Sequence, residues 1–422
     1  MNNSENLRFD IVVVGAGAAG CVAAGLAAQN GARVCLLERN ERPARKVGIT
    51  GKGRCNVTNN RPPDEFLRFV RQGDKFLRSC VYRFPPEYVM RFFEEQGVPL
   101  KTERGNRVFP VSDRAIDIVD ALARYVRRSG ARLVHGRAKA LDLADGRVRA
   151  VILQDGRRIE CGAAIIATGG LSYPVTGSTG DGYGLARMAG HTIVPARPSL
   201  VPLVTRPAYP GLSGLTLKNV ALTMVERDGG KKLFSEPGEL LFTHFGVSGP
   251  LILTASGSMT RPPECYRLDI DLKPGLEREK LDARVLRDFK EFSGRNFVNS
   301  LSGLLPKALI EPIIEMCGIP PGIRVDQVTR EQRRALVETL KGFPLFPCAF
   351  RSIDEAVVTA GGVSTKELEP KTMRSRLVPN LYFAGEVVDC DARTGGFNLQ
   401  IAFSTGFAAG EAAAKNIANN EE

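Results

Sequence analysis

The chain has 422 residues, a formal net charge of +12 and nine cysteines, none of which forms a Cys-x-x-Cys pair. This length predicts two or three domains, and the scattered cysteines exclude a disulfide framework and a zinc site. We therefore expect a cytoplasmic protein without a bound metal ion. The basic residues occur singly or in short pairs, which is typical of a solvated surface, so we do not expect a nucleic-acid partner. No stretch is long and apolar enough to cross a bilayer, so we do not expect a membrane partner either.

The first predicted elements are a strand, a glycine-rich loop, a helix and a second strand. Residues 10–14 are an apolar, β-branched run of the kind that is buried on both faces of a parallel sheet. The loop 15–20, with the sequence GAGAAG, follows at once, and an alanine-rich helix extends from it to Asn30. A second apolar strand over residues 33–37 leads directly into Glu38. This order indicates a Rossmann-type dinucleotide-binding unit.

Each glycine of this loop is expected at its position for a different structural reason. Gly15 permits the tight turn from strand to helix, and Gly20 lets the helix pack against the strand. Gly17 leaves room for a pyrophosphate beside the backbone, where the helix N-terminus, including Ala18, offers free N–H groups. Glu38 lies 18 residues beyond Gly20, where an acid accepts hydrogen bonds from the adenosine ribose. The loop alone does not distinguish NAD from FAD.

Two later parts of the chain favour FAD. Residues 163–170 form another apolar strand that runs into a Thr-Gly-Gly turn, and residues 380–386 form a strand that ends in Gly-Glu. Residues 394–400, with the sequence TGGFNLQ, then begin a final helix rich in small residues. Together these segments predict one nucleotide-binding fold that is assembled from both ends of the chain.

Four stretches, at residues 47–59, 177–183, 241–250 and 384–400, resemble the HI0933-like (BaiN/YhiN-like) family of NAD(P)/FAD-dependent oxidoreductases. They follow one another in the family's order over almost the whole chain. The resemblance implies an α/β fold whose Rossmann-like, glutathione-reductase-like FAD-binding domain is discontinuous in sequence. It also implies that FAD is held non-covalently.

The resemblance further implies an inserted region in the middle of the chain. We place the FAD-binding domain at residues 1–195 and 360–422. An inserted β-rich, barrel-like domain is expected at 196–275 and 341–359, with a small helical subdomain at 276–340. The sequence agrees with this division, because short strand-like runs broken by proline and glycine give way to helical periodicity after residue 276.

Carried over residue by residue, the resemblance implies cofactor-binding residues along the whole length of FAD. For Lys46, binding and simple solvation are equally good interpretations. The expected set is Gly15, Gly17, Ala18, Gly20, Glu38, Arg39 and Lys46 at the ADP half, Arg54, Cys55 and Asn56 along the pyrophosphate and flavin, Ala138 at the adenine, Thr168 and Gly169 at the pyrophosphate, and Gly385, Glu386, Gly396, Phe397 and Asn398 at the flavin half.

The C-terminal motif bears most directly on mechanism. Glu386 resembles the acid that binds the ribityl chain in this class of flavoprotein. Gly396, Phe397 and Asn398 are expected to begin the last helix beneath the pyrimidine edge of the isoalloxazine ring. A helix N-terminus there stabilises the negative charge that grows at N1 and the C2 oxygen when flavin is reduced.

The candidate proton donor is His244, one of only three histidines, which precedes a Gly-x-Ser-Gly-Pro turn. A lone histidine is more often structural, and Tyr173 is an alternative acid. Cys55 has no second cysteine nearby to act as a resolving partner, so a structural thiol is favoured over a redox-active one.

Three functions remain open. The first is an NAD(P)H-dependent ene-reductase, for which the resemblance implies conjugated enones such as 3-oxo bile acids or steroid-like molecules as acceptors. The second is an oxidase that uses O₂ to oxidise an amine of the aminoacetone type, and the third, suggested by the net charge, is an RNA-associated flavoprotein. The inserted region has no second glycine-rich strand-loop-helix unit with a following acid, so we expect the nicotinamide nucleotide to dock directly over the flavin.

Overall fold

The computed structural model describes residues 7–419 and divides into two compact units. The first unit takes the chain up to Ser199 and again from Ile353 onward. The second unit takes the continuous segment Leu200–Ser352 between them. Among the described residues, no helix combines the length and the apolar character that crossing a bilayer would need.

Within the described residues 7–199 the chain forms eleven strands and seven α-helices. The strands are β1 (Leu7–Val14), β2 (Val34–Glu38), β3 (Thr58–Asn59), β4 (Val70–Gln72), β5 (Leu100–Glu103), β6 (Arg107–Pro110), β7 (Arg132–His135), β8 (Ala138–Ala144), β9 (Arg147–Leu153), β10 (Arg158–Ile166) and β11 (Ile193–Ser199). The helices are α1 (Ala18–Gln29), α2 (Arg45–Ile49), α3 (Pro63–Leu67), α4 (Asp74–Arg83), α5 (Pro86–Glu95), α6 (Ala115–Ser129) and α7 (Asp181–Met188).

The second unit is one seven-stranded sheet with helices and its own apolar core. Its strands are β12 (Leu203–Thr205), β13 (Thr216–Glu226), β14 (Lys232–Thr243), β15 (Gly246–Ser248), β16 (Tyr266–Asp271), β17 (Phe343–Leu345) and β18 (Pro347–Phe350), and its helices are α8 (Pro250–Gly257), α9 (Arg278–Glu291), α10 (Phe297–Ser300), α11 (Lys307–Cys317) and α12 (Arg330–Lys341). The sheet order is β17-β16-β13-β14-β15-β12-β18, and all of its pairings are antiparallel. The helices expected as a separate subdomain lie inside this unit and share its core.

The chain then returns to the first unit. This return contains β19 (Val358–Val363), β20 (Leu381–Phe383), β21 (Asp391–Ala392) and the long helix α13 (Phe397–Ala418). Strand β20 pairs in parallel with the end of β10, whose other edge pairs in parallel with β1. The main sheet has the order β7-β2-β1-β10-β9-β8, with β20 attached to β10.

Helices α1 and α13 pack against each other unusually closely, because glycines face the neighbouring backbone. A Cβ atom at Gly406 would lie 2.3 Å from the carbonyl oxygen of Ala19, and one at Gly410 would lie 2.4 Å from that of Ala23. Only glycine permits this approach at both positions. The C-terminal helix is thereby held against the helix that follows the N-terminal glycine-rich loop.

Candidate cofactor site

The three glycines of the first loop have different surroundings. At Gly20 a Cβ atom would lie 1.8 Å from the Gly15 carbonyl oxygen, and at Gly15 it would lie 2.6 Å from the Ala167 oxygen. Gly15 also has a φ of +99°, which favours glycine. At Gly17, by contrast, the nearest atom to a Cβ would be the Ala167 oxygen, 4.0 Å away. Gly15 and Gly20 are therefore required for packing, whereas Gly17 leaves open space.

The N-terminus of α1 opens onto this space. Gly17 is its N-cap, no side chain caps it, and its first turn contains no acidic residue. The Glu38 carboxylate lies beside the loop, where it accepts hydrogen bonds from the backbone N–H of Ala16 at 2.8 Å and from that of Asn40 at 2.8 Å. An uncapped helix N-terminus of this kind fits an anionic pyrophosphate, and the adjacent acid fits a ribose. The residues present therefore fit the ADP half of FAD.

Arg39 is directed away from this acid towards a polar cluster at the start of α7. Its guanidinium donates to Thr179 Oγ1 at 2.6 Å and lies 3.3 Å from Asp181 Oδ2. Arg137, immediately before Ala138, donates two hydrogen bonds of 2.7 Å to the same Asp181 carboxylate. Arg39 and Arg137, the neighbour of the predicted Ala138, thus meet at Asp181, a residue of the stretch 177–183 that was not among the predicted site residues.

Glu386 lies at the centre of a second polar cluster. Its Oε2 accepts from Lys46 Nζ at 2.7 Å, and its Oε1 accepts from Ser172 Oγ at 3.0 Å and from the Thr359 backbone N–H at 2.8 Å. Lys46 also donates to Ser172 Oγ at 2.6 Å. The structure therefore joins two predicted residues from opposite ends of the chain. Ser172 and Thr359 were missed, although Ser172 lies only two residues beyond the predicted Thr-Gly-Gly turn.

Gly385, which precedes Glu386, packs closely against helix α1. A Cβ at Gly385 would lie 2.9 Å from the Ala19 Cβ, and the Gly385 N–H donates to Thr405 Oγ1 at 2.9 Å. Thr168 follows β10 and Gly169 has a φ of +75°, so the chain turns sharply there. The Thr168 hydroxyl is buried and has no hydrogen-bond partner among the described residues.

A third set of contacts fixes the start of α13. Gly396 has a φ of +96°, and a Cβ there would lie 2.3 Å from the Thr58 carbonyl oxygen. With its amide turned to satisfy both neighbours, Asn56 accepts from the Gly396 N–H at 3.1 Å and donates to the Thr58 oxygen at 3.0 Å. Asn59 Nδ2 donates to the Gly395 carbonyl at 3.0 Å. The motif at residues 47–59 therefore holds the motif at 394–400 in place.

The first residues of α13 face inward towards protein. Phe397 is only 2% exposed, and its ring stacks on Phe69 with centroids 4.8 Å apart. Asn398 binds the backbone of Ala392 through both amide atoms, each at 3.0 Å. The helix N-terminus has no acidic residue in its first turn and no side-chain cap. These side chains therefore position the helix start, whose backbone N–H groups would face a ligand.

Arg54 and Cys55 are both engaged by the protein itself. The Arg54 guanidinium binds Glu103 and Asp113, each at 2.5 Å, and lies over the Phe109 ring at 4.2 Å. Cys55 is fully buried, and this burial raises the pKa of its thiol to about 12. Because the thiolate is the reactive form, we expect Cys55 to react poorly at neutral pH.

His244 lies in the second unit, at the tip of a tight hairpin. Thr243 of β14 pairs with Gly246 of β15, so His244 and Phe245 form a two-residue connection. The His244 ring is exposed and lies edge-on to Phe245, with centroids 5.0 Å apart. The Arg351 guanidinium lies over the Phe245 ring at 4.4 Å. An exposed imidazole at a hairpin tip is free to contact a ligand.

An uncapped helix N-terminus behind a Gly-x-Gly-x-x-Gly turn, with an acid at the end of the next strand, defines a Rossmann-type dinucleotide-binding protein. The family model for the HI0933-like protein Rossmann domain matches residues 9–412. The chain therefore belongs to the HI0933-like family of flavoprotein oxidoreductases.

Curated relatives are similar to the chain over nearly their whole length. A ribosomal RNA dihydrouridine synthase of Escherichia coli is 32% identical, covering 95% of this chain and 97% of the relative. A 3-dehydro-bile acid delta(4,6)-reductase of Clostridium scindens is 31% identical, covering 96% and 99%. A ribosomal RNA dihydrouridine synthase of Haemophilus influenzae is 31% identical, covering 94% and 96%.

Solved structures with the same fold are more distant in sequence. A 3-ketosteroid-delta4-(5alpha)-dehydrogenase from Rhodococcus jostii is 15% identical, covers 97% of each chain and has a TM-score of 0.55. A 3-ketosteroid delta1-dehydrogenase from Sterolibacterium denitrificans is 13% identical, covers 97% of this chain and 100% of its own, and has a TM-score of 0.52. These structures, with the family match, confirm the predicted Rossmann-like α/β fold.

Proposed function

We propose that the chain is an FAD-dependent reductase that takes electrons from NADH or NADPH and saturates a C=C bond conjugated to a carbonyl group. The observation that carries this proposal is that two helices of one unit, α1 behind Gly17 and α13 behind Gly396, each begin at a glycine with no side-chain cap and no acidic residue in the first turn. Two such N-termini suit the two ends of one FAD molecule, its pyrophosphate and its flavin ring. When bound, FAD would supply hydride transfer at N5.

The names of the relatives support this type of reaction. A 3-dehydro-bile acid delta(4,6)-reductase removes double bonds from a skeleton that carries a 3-oxo group. Dihydrouridine is uridine in which the double bond of the uracil ring, conjugated to a ring carbonyl, has been saturated. The two names describe different molecules and the same reacting group, a carbonyl-conjugated C=C bond. The same reaction is our proposal for this chain.

Residues of the chain would supply the remaining steps. Glu386, held by Ser172 and the Thr359 N–H, would bind ribityl hydroxyls, and Lys46 would balance its charge. The N-terminus of α13 would stabilise negative charge at the pyrimidine edge. His244, exposed at its hairpin tip, would donate the proton that completes saturation, with Tyr173 as the alternative acid.

A uracil ring in RNA is the acceptor class that we favour over a 3-oxo steroid. The supporting observation is the net charge of +12, because phosphate contacts dominate the affinity of RNA-binding proteins. The two relatives named for ribosomal RNA point the same way. This proposal revises the expectation from the sequence that nucleic acid is not a partner.

The test begins with purified, FAD-loaded protein under anaerobic conditions. NADH or NADPH should bleach the flavin absorbance, and no bleaching at saturating nicotinamide would refute the reductase proposal. The reduced protein is then mixed with unmodified ribosomal RNA or with a 3-oxo-Δ4 bile acid. Mass spectrometry should detect a gain of two hydrogen atoms in uridine, whereas a gain in the bile acid alone would select the steroid. Peroxide formation with an amine would instead support the oxidase.

The His244→Gln variant separates the proposed proton transfer from flavin reduction. Bleaching by NADPH should remain at the wild-type rate, while saturation of the acceptor should fall by about 10²-fold or more, as for the loss of a general acid. Tyr173→Phe is the matched variant. A loss confined to Tyr173→Phe would move the proton-donor role to that residue.

A further inference from the structure

A groove on the first unit has a strongly basic lining. One wall is α4, which contributes Lys75, Arg78 and Tyr82, and the other is the loop at residues 369–376. That loop contributes Lys371, Arg376 and Glu369, and the groove has a volume of about 710 Å³. Four basic side chains therefore face one carboxylate.

Among the described residues, few carboxylates neutralise these cations. The Glu369 carboxylate already accepts from Arg374 at 2.8 Å. Arg78 lies 3.3 Å from Asp64, but both side chains are about two-thirds exposed, so this pair contributes little. Lys75 and Lys371 are exposed, and neither ammonium group has an ion-pair partner among residues 7–419. The groove is therefore a positively charged surface.

The groove also has fixed walls. Cys80 of α4 donates its S–H to the Pro370 carbonyl at 3.2 Å, and Arg83 donates to the Lys371 carbonyl at 2.9 Å. On the loop itself, Arg376 Nε donates to the Leu368 carbonyl at 3.1 Å. These bonds hold the loop to the helix, so the binding surface exists before a ligand arrives.

Its shape suits an extended polyanion that carries planar rings. Lys75, Arg78 and Tyr82 lie at i, i+3 and i+7, which places them along one face of α4 over a rise of about 10 Å. Tyr82 is 43% exposed, and the Arg78 guanidinium lies over its ring at 5.3 Å. A phosphate chain can follow the cations while a base stacks on the tyrosine, which is how single-stranded nucleic acid is bound without sequence preference.

We propose that this basic groove docks a single-stranded segment of the RNA substrate, with phosphates against Lys75, Lys371 and the two arginines and a base on Tyr82. The inference rests on the proposed RNA acceptor. It adds a surface, separate from the cofactor-binding residues, that would hold the substrate strand.

The test measures the affinity of FAD-loaded protein for a short fluorescein-labelled oligouridine by fluorescence anisotropy. For Lys75→Ala/Lys371→Ala, the slope of log K against log salt should become shallower by roughly 1.4, from about 0.7 for each lost contact. Affinity near physiological salt should fall on the order of tenfold. The matched control is Lys231→Ala/Lys232→Ala, which removes two exposed lysines from the second unit.

Substitutions of Tyr82 distinguish the contribution of base stacking to affinity from that of electrostatic attraction. Tyr82→Ala should lower the affinity about fivefold or more with an unchanged salt slope, and Tyr82→Phe should bind as the wild type does. Melting temperature and FAD content check that every variant folds. An equal loss of affinity in the two lysine double variants would overturn the proposal. Displacement of the oligouridine by NADPH would also overturn it, because the groove would then be a nicotinamide-nucleotide site.

The two proposals fail differently, because binding is measured without turnover. If oligouridine binds through the groove and no acceptor is reduced, the reductase function fails and the groove stands. If RNA is reduced and the groove variants bind it like the wild type, the groove fails and the function stands.

Discussion

Replacing Gly17 with alanine should weaken FAD binding while leaving the fold intact. Gly17 has a φ of −77°, which alanine adopts without strain, and its new Cβ would meet no protein atom closer than 4.0 Å. We therefore expect the free energy of unfolding to change by no more than about 1 kcal/mol. The methyl group would occupy the space into which the pyrophosphate is expected to fit. The variant therefore tests that space directly.

The size of the loss follows from the phosphate contacts. A hydrogen bond to a charged group contributes about 1.5–3 kcal/mol, so losing one such bond weakens FAD binding roughly 10- to 150-fold. The assay is titration of FAD into the apoprotein, followed by quenching of flavin fluorescence, with thermal melting of the apoprotein alongside.

Two other glycines provide the comparison. Gly20→Ala places a Cβ 1.8 Å from the Gly15 oxygen, so it should lower the melting temperature of the apoprotein itself. Gly184→Ala, in helix α7, meets nothing within 4 Å, so it should leave FAD binding unchanged and should not lower the melting temperature. If Gly17→Ala binds FAD as the wild type does, the space at Gly17 is not the pyrophosphate site and the reasoning is wrong.

Three further predictions concern buried charges and thiols. Lys46→Met should lower the free energy of unfolding, because it leaves Glu386 without its ion-pair partner. A double-mutant cycle with Glu386→Gln, measured by denaturant unfolding, should give a coupling energy of roughly 1 kcal/mol between the two residues. A coupling energy of zero would contradict the ion pair. Burial raises the pKa of Asp391, so its contribution to stability is present below the ordinary carboxyl pKa and is lost as pH rises through the raised value. The melting temperature of Asp391→Asn should therefore exceed that of the wild type at pH values above the raised pKa and should equal it in acid. A difference in melting temperature that stays constant with pH would contradict this prediction. At mildly alkaline pH, Ellman's reagent should spare Cys55 in the folded protein, and peptide mapping should find modification at the partly exposed thiols instead, namely Cys265, Cys317 and Cys348.

The features that the sequence predicted well are those with a local mechanical cause. Gly15, Gly17 and Gly20 lie within six residues, and the geometry of strand, turn and helix dictates what each position tolerates. The joining of the two chain ends was also predictable, because β20 and α13 repeat the pattern of an apolar strand followed by a glycine-rich helix start. Such patterns are periodic or contiguous, so they are readable without tertiary information.

The partners of the predicted polar residues were not predictable in the same way. Arg39 meets Asp181, and Arg54 meets Glu103 and Asp113, across separations of 49 to 142 residues. A single carboxylate at such a distance leaves no periodic trace, since its contact exists only after the chain has packed. Phe397 shows a related limit, because the Gly-Gly-Phe-Asn sequence locates a helix start but does not determine which way the ring points.

The pairing of β10 with β20 has a consequence for how the protein is made. Strand β10 ends at Ile166, but its parallel partner begins only at Leu381, so residues 167–380 must leave the ribosome before this part of the sheet can close. At 5–20 residues per second, the wait is about 10–40 s. During that time the end of β10 is an unpaired edge, which is a site of aggregation. The unit Leu200–Ser352, which has its own core, is translated entirely within this interval and can fold first. A translational pause within this segment would therefore prolong the exposure of the unpaired β10 edge to chaperones.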